Sequence, residues 1–204
     1  MSEGRGAGNK ATGPRRRAGA SRARILDVAD QLFYADGVGN IGIDRIIAES
    51  DVAKATLYSN FGSKEGLVDA YLAARHEITE RKIEDLKKSE TDDRGRLKGF
   101  FEFLGELTHE DAFRGCAFVL AAADSGQKGV AWEWAQRHKK MVRDFFMDML
   151  ASLVPEDDVL DVSWKLTILY EGALLTAGLH KDSEAARRAY EVARLLMGES
   201  EVRD

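Results

Sequence analysis

The chain has 204 residues, of which 44% are hydrophobic and 32% charged, the composition of an ordinary globular protein rather than a disordered one. Its longest unbroken apolar run, Cys116 to Ala123, falls far short of the roughly 18 residues a membrane-spanning helix needs. The single cysteine excludes an internal disulfide and fits a reducing compartment, and no apolar stretch follows the basic N-terminus as a secretory signal would require. A cytoplasmic location is expected.

The formal net charge of −5 is unevenly spread. Seven Lys or Arg against one acid, Glu3, occupy the first 24 residues, so a basic arm precedes an acidic body. That asymmetry points to a polyanion partner at one end only. Residues 1–20, rich in Gly, Ala and Arg without apolar periodicity, read as a disordered arm.

From Ser21 onward the pattern is helical, and no alternation long enough for a sheet occurs. The first helix is predicted to begin at Ser21 as N-cap. Ile25, Val28, Ala29, Leu32 and Phe33 make one buried stripe, and Gly37 closes the helix. A short second helix over about 43–49 buries Ile43, Ile46 and Ile47. A third covers about 53–60 after the turn Ser50-Asp51-Val52, and Ser63 caps a longer fourth. Five more helices are predicted near 92–108, 111–124, 129–152, 157–178 and 183–198, punctuated by Gly115, Gly126, Gly129 and Pro155. The fold class is thus all-α, with about nine helices: a three-helix, helix-turn-helix head over 21–66 and a helical body over 67–204.

Two helices this short are unstable alone and must pack on the first; held rigidly, the second of them can enter a major groove. Its outward residues favour recognition over mere solvation. Lys54, Thr56, Tyr58, Ser59 and Asn60 can all donate hydrogen bonds and none is negative. Ala53 and Ala55 let the backbone approach a partner. Lys64 adds a cation at a helix N-terminus, where phosphate is favoured.

Within 23–72, the runs Ile25-Leu26-Asp27-Val28-Ala29, Leu32-Phe33-Tyr34-Ala35-Asp36-Gly37 and Ile43-Asp44-Arg45-Ile46-Ile47-Ala48 precede the most specific stretch, Val52 to Leu67. With its Leu57-Tyr58 pair, Phe61 and Ser63-Lys64-Glu65, this segment closely resembles the DNA-binding head of the TetR family of regulators. The resemblance implies base or phosphate contacts from Lys54, Thr56, Tyr58, Ser59, Asn60 and Lys64. Arg15, Arg16, Arg17, Arg22 and Arg24 would reach flanking phosphates or the minor groove. Three positions depart from the family pattern: Gly42 replaces a capping threonine, Asp51 a turn glycine, and Asn60 a frequent histidine.

The resemblance further implies a repressor released from a palindromic double-stranded DNA operator by a small molecule, acting as a homodimer through its last two helices. Arg114 to Asp124 is similar to the sixth helix of one TetR subgroup, with Leu120 where asparagine is frequent, which implies an apolar pocket wall and a largely apolar effector. Candidate pocket residues are Phe103, Leu107, Cys116, Leu120, Phe145 and Trp164; at each, ordinary bundle core is the plainer alternative. Cys116 reads first as a small buried apolar residue, with redox sensing the rarer alternative. His109, His138 and His180 are scattered and His76 adds nothing to them, so no metal or cofactor is expected. No catalytic motif is present. A binding protein whose head no longer reads DNA is the remaining rival, opposed by Lys54, Tyr58 and Lys64.

Overall fold

The computed structural model describes residues 14–126 and 128–198. Among them are helices α1 (Pro14–Asp36), α2 (Ile43–Ser50), α3 (Lys54–Phe61), α4 (Lys64–Ser89), α5 (Asp93–Thr108), α6 (Ala117–Ser125), α7 (Val130–Leu150), α8 (Glu156–His180) and α9 (Ala185–Leu196), and no strand. No described helix is long and apolar enough to cross a membrane.

α1 begins at Pro14, not at the expected Ser21. Proline is preorganised for a first helical turn, and the Arg- and Ala-rich segment behind it has high helix propensity, so 14–20 extend the helix instead of forming an arm. The disorder expected of residues 1–13, and the contacts expected of the Arg15, Arg16 and Arg17 side chains, lie outside the described residues. The other end is as predicted: Gly37, at φ 90°, donates its N–H to Phe33 O at 3.0 Å.

Asp51 takes the left-handed geometry that the α2–α3 turn requires, at φ 50° and ψ 50°. Ser63 Oγ accepts from Gly66 N at 3.0 Å and starts α4. Asp92 caps α5 in the same way, accepting from Gly95 N at 2.8 Å. Pro155 stands at the N-cap of α8, whose first turn holds Glu156, Asp157 and Asp158, acids that complement the positive end of the helix dipole.

α6 starts at Ala117 rather than near 111. Gly115, at φ 113°, breaks any helix through this stretch, and Tyr34 Oη on α1 holds the connection from both sides. It donates to Gly115 O at 2.9 Å and accepts from Arg114 N at 2.8 Å.

Two hydrophobic clusters result. The head cluster takes Ile25, Ala29, Leu32 and Phe33 from α1, Ile46 from α2, Leu57 from α3 and Leu67, Val68, Tyr71 and Leu72 from α4, and reaches Phe118 and Ala121 on α6. The body cluster is built on Phe100, Phe101, Phe145, Phe146, Leu166 and Tyr170. α4 serves both, because Ile83 and Leu86 near its far end join the body. Its packing therefore ties the head to the bundle along one continuous rod.

Candidate functional site

Leu57 is the one fully buried side chain of α3, and it pins the helix so that the opposite side faces solvent. Ala53, Lys54, Ala55, Tyr58 and Ser59 are exposed, and Thr56 and Asn60 are half-buried. The structure thus brings together on one short helix the residues the sequence singled out there. Tyr58 is 43% exposed, so its ring can be reached from solvent.

Several of these donors already have work to do. Asn60 Nδ2 donates to Thr56 O at 2.7 Å and Ser59 Oγ to the same carbonyl at 3.0 Å. Lys54 Nζ is 3.0 Å from Asp44 Oδ1 on α2. That hydrogen bond raises the ammonium pKa, but both groups are largely exposed and the pair is a weak, exchangeable one. Asp44 is the functional neighbour that sequence reasoning missed; its place beside Lys54 depends on how α2 crosses α3, which no local pattern encodes.

Arg22, exposed on α1, lies over the Phe61 ring with its guanidinium carbon 5.2 Å from the centroid, which brings it beside the end of α3. Lys64 opens α4, half-buried, just past the end of α3 and beside a groove also lined by Val38, Ser125, Lys128 and Val130. Arg24 is exposed on α1.

The body holds a cavity of about 770 Å³. Of the candidate pocket residues, Phe103, Leu107 and Cys116 line it, while Leu120, Phe145 and Trp164 do not. Phe145 is in the body core, 5.4 Å from the Phe100 ring. Trp164 is 48% exposed beneath the Arg143 guanidinium. Leu120 is half-buried on α6 away from the cavity.

Head residues form part of the cavity wall. Asp30 and Tyr34 from α1 line it with Arg75 from α4. Arg75 binds Asp30 through two hydrogen bonds, Nε at 2.7 Å and Nη2 at 2.9 Å, and lies 4.1 Å over the Tyr34 ring. Burial pushes the Tyr34 hydroxyl above its usual pKa, so it stays a neutral donor. Two histidines expected to be unrelated also meet: His138 Nδ1 lies 3.3 Å from His76 Nδ1, because α4 packs on α7. The described residues hold no cluster of three metal-ligating groups.

Against known proteins, residues 25–71 match the family of bacterial regulatory proteins described as tetR family. The chain is 29% identical over 136 residues to the HTH-type transcriptional regulator LmrA of Bacillus subtilis (strain 168), a match spanning 61% of this chain and 72% of that protein. A TetR-family transcriptional regulator from Streptomyces coelicolor superposes with a TM-score of 0.82 at 27% identity, over 88% of this chain and 95% of its own. A TetR regulator from Chloroflexus aurantiacus shares the fold, with a TM-score of 0.78 at 18% identity over 91% and 98% of the two chains.

Proposed function

We propose, from the premise that this chain belongs to the TetR family of DNA-binding transcriptional regulators, that it is a repressor released from a palindromic operator by a small, largely apolar molecule. It is a regulator and not an enzyme. In this reading residues 21–66 read DNA in the cytoplasm and residues 67–204 sense the effector and dimerise. Ala53, Lys54, Ala55, Thr56, Tyr58, Ser59 and Asn60 meet the major groove, with Arg22 and Lys64 on flanking phosphates.

One observation carries the effector half of the proposal. Asp30 and Tyr34 belong to head and cavity at once, and Arg75 of the body holds Asp30 there, so an occupant of the cavity touches the element whose position sets DNA recognition. A differential affinity of about 1–3 kcal/mol between the two arrangements would weaken operator binding roughly 5- to 150-fold.

The dimer reading rests on α8 and α9. Leu160, Trp164, Ile168, Leu175 and Leu179 are exposed on α8, and Val192 and Leu195 on α9. Large apolar groups in such a row mark an interface, and a twofold pair presents two heads to the two half-sites of a palindrome.

The test is selection of bound fragments from the source genome by the purified protein at physiological salt. Recovery of a short palindromic sequence supports the reading. Recovery of sequence-independent DNA alone, lost as salt rises, refutes it.

A further inference from the structure

Building on the reading of the cavity as an effector site, we propose that the effector is uncharged where it is buried and anchors one neutral hydroxyl or carbonyl oxygen on the Tyr170 hydroxyl, which His138 positions.

The cavity sorts its lining by depth. Charged residues on it are Asp30, Arg75, Glu110, Asp111, Arg114 and Lys181; of these, Glu110, Asp111, Arg114 and Lys181 are exposed and mark the mouth. The cations are already engaged. Arg75 is paired with Asp30, Lys181 Nζ donates to Phe113 O at 2.7 Å, and Arg114 Nη1 donates to Tyr34 O at 3.0 Å. The buried floor is aromatic and aliphatic: Phe100, Phe103, Leu104, Phe118 and Leu174. The Lys139 ammonium behind the Tyr170 ring, 4.5 Å from its centroid, does not line the cavity and is paired with Glu171 at 3.7 Å. An ion carried to that floor would therefore find no counter-charge on the lining, and an unpaired buried ion is strongly disfavoured.

Three buried polar side chains remain on the lining: Thr79, His138 and Tyr170. His138 is fixed on every side. Its ring stacks on Phe118 with centroids 3.9 Å apart and planes 14° apart. Its Nδ1 faces His76 Nδ1, and its Nε2 lies 3.3 Å from Tyr170 Oη. Proton accounting then defines what Tyr170 offers. If His76 donates to His138, Nε2–H of His138 donates to Tyr170 and the phenol proton is free for an acceptor in the cavity. If the chain runs the other way, Tyr170 donates to His138 and its lone pairs are free for a donor. A hydroxyl is taken in either direction, and a carbonyl oxygen in the first, which its arrival selects, so one neutral hydrogen-bonding position stands on an apolar floor. Burial drives the His138 pKa well down and the Tyr170 pKa well up, so neither group supplies charge.

The test uses three naphthalene probes of similar size on the intact protein: phenylnaphthylamine, its anionic sulfonate, and the neutral ketone Prodan, whose emission reports hydrogen bonding to its carbonyl. Fluorescence titrations count only binding that the probes mutually displace. The neutral parent should bind at least about tenfold tighter than the sulfonate. Tyr170→Phe should weaken Prodan about fivefold and shift its bound emission to the blue, leaving phenylnaphthylamine affinity as in the parent. His138→Phe, which keeps the stack on Phe118, should produce the same blue shift. Equal affinity for the sulfonate overturns the neutral floor, and Prodan affinity and emission that ignore Tyr170→Phe overturn the anchor. A protein that still holds its operator fragment but binds none of the three removes the effector-site reading itself, and this proposal with it.

Discussion

Tyr34→Phe deletes one oxygen from the joint between head and body. The hydroxyl donates to Gly115 O and accepts from Arg114 N, while the ring stays under the Arg75 guanidinium and Arg114 Nη1 keeps its bond to the Tyr34 carbonyl. The substitution therefore removes two hydrogen bonds and little else. Each is worth about 1 kcal/mol net. Gly115 is buried, so its carbonyl loses its partner without gaining water; Arg114 is exposed and its N–H can be rehydrated. The expected loss is about 2 kcal/mol, a fall in Tm of about 4–8 °C for a chain of this size. Urea denaturation at one fixed protomer concentration measures it, since a dimer's apparent stability depends on concentration. Operator affinity without effector should change little, whereas release by effector should need a higher concentration, because the tie that carries displacement from residues 114–115 into α1 is gone. A loss below about 0.5 kcal/mol would mean that water replaces both bonds and that the joint is not the hydroxyl's doing. Full loss of stability with an unaltered effector response would make the contact structural only.

Gly66→Ala would place a Cβ 2.1 Å from Phe61 O, a backbone atom that cannot turn away, so α3 must shift at its C-terminal end. Stability should fall by about 1–3 kcal/mol and operator affinity by more than about tenfold, with helical circular dichroism retained; parental affinity would refute the placement of α3. Ile168→Glu, on the exposed face of α8, buries a carboxylate in each copy of the proposed interface at several kcal/mol apiece. Sedimentation should show a monomer, and a persistent dimer would put the interface elsewhere. Burial lowers the pKa of His138 well below its usual value and that of His76 less so; Lys139 presses on the first, while Glu77 and Glu80 oppose the fall at the second and Arg137 adds to it. The unfolded chain therefore binds protons that the folded one refuses. That stability is complete above about pH 6.5 and declines as pH falls, by about 1.4 kcal/mol per unit for each histidine. His138→Phe should flatten the urea midpoint against pH by about one proton, and parallel curves would refute the assignment.

The helices were legible in the sequence because their stops are local chemistry. Gly37, Ser63 and Pro155 act where they stand, whatever packs around them. The two misplaced boundaries have different causes. Residues 14–20 are charged and lack an apolar stripe, so periodicity was silent where propensity was sufficient. Residues 111–116 hold their break at Gly115, whose positive φ no helix continues, but the conformation of the connection before it is held by Tyr34, distant in sequence. The α3 face was readable as a row of polar groups around one apolar pin, Leu57. The cavity was not: an aromatic on a helix looks the same whether it points to a void, to core or to solvent, and a rotation of one residue, about 100°, decides which. Phe103, Phe145 and Trp164 met those three fates in turn. The His76–His138 pair was invisible for a like reason, since only the packing of α4 on α7 brings the rings together.

The joint also explains how a small occupant could act on a distant face. α4 has 26 residues and is about 39 Å long. Leu67 to Leu72 fix its first turns in the head cluster, and Ile83 and Leu86 fix its far end in the body. The cavity meets it between these anchors, at Arg75, Ile78 and Thr79, so an occupant presses on the rod away from both ends. A tilt of about 5° over that length moves the head end by about 3 Å. That exceeds the tolerance of a hydrogen bond to a base edge, and in a twofold dimer the two heads move together against half-sites fixed about 34 Å apart. The Asp30–Arg75 pair binds α1 to the same rod, so the helix that braces α2 and α3 follows α4 rather than slipping past it. Stiffness between the clusters, more than any change within the head, is what the proposed release of DNA requires.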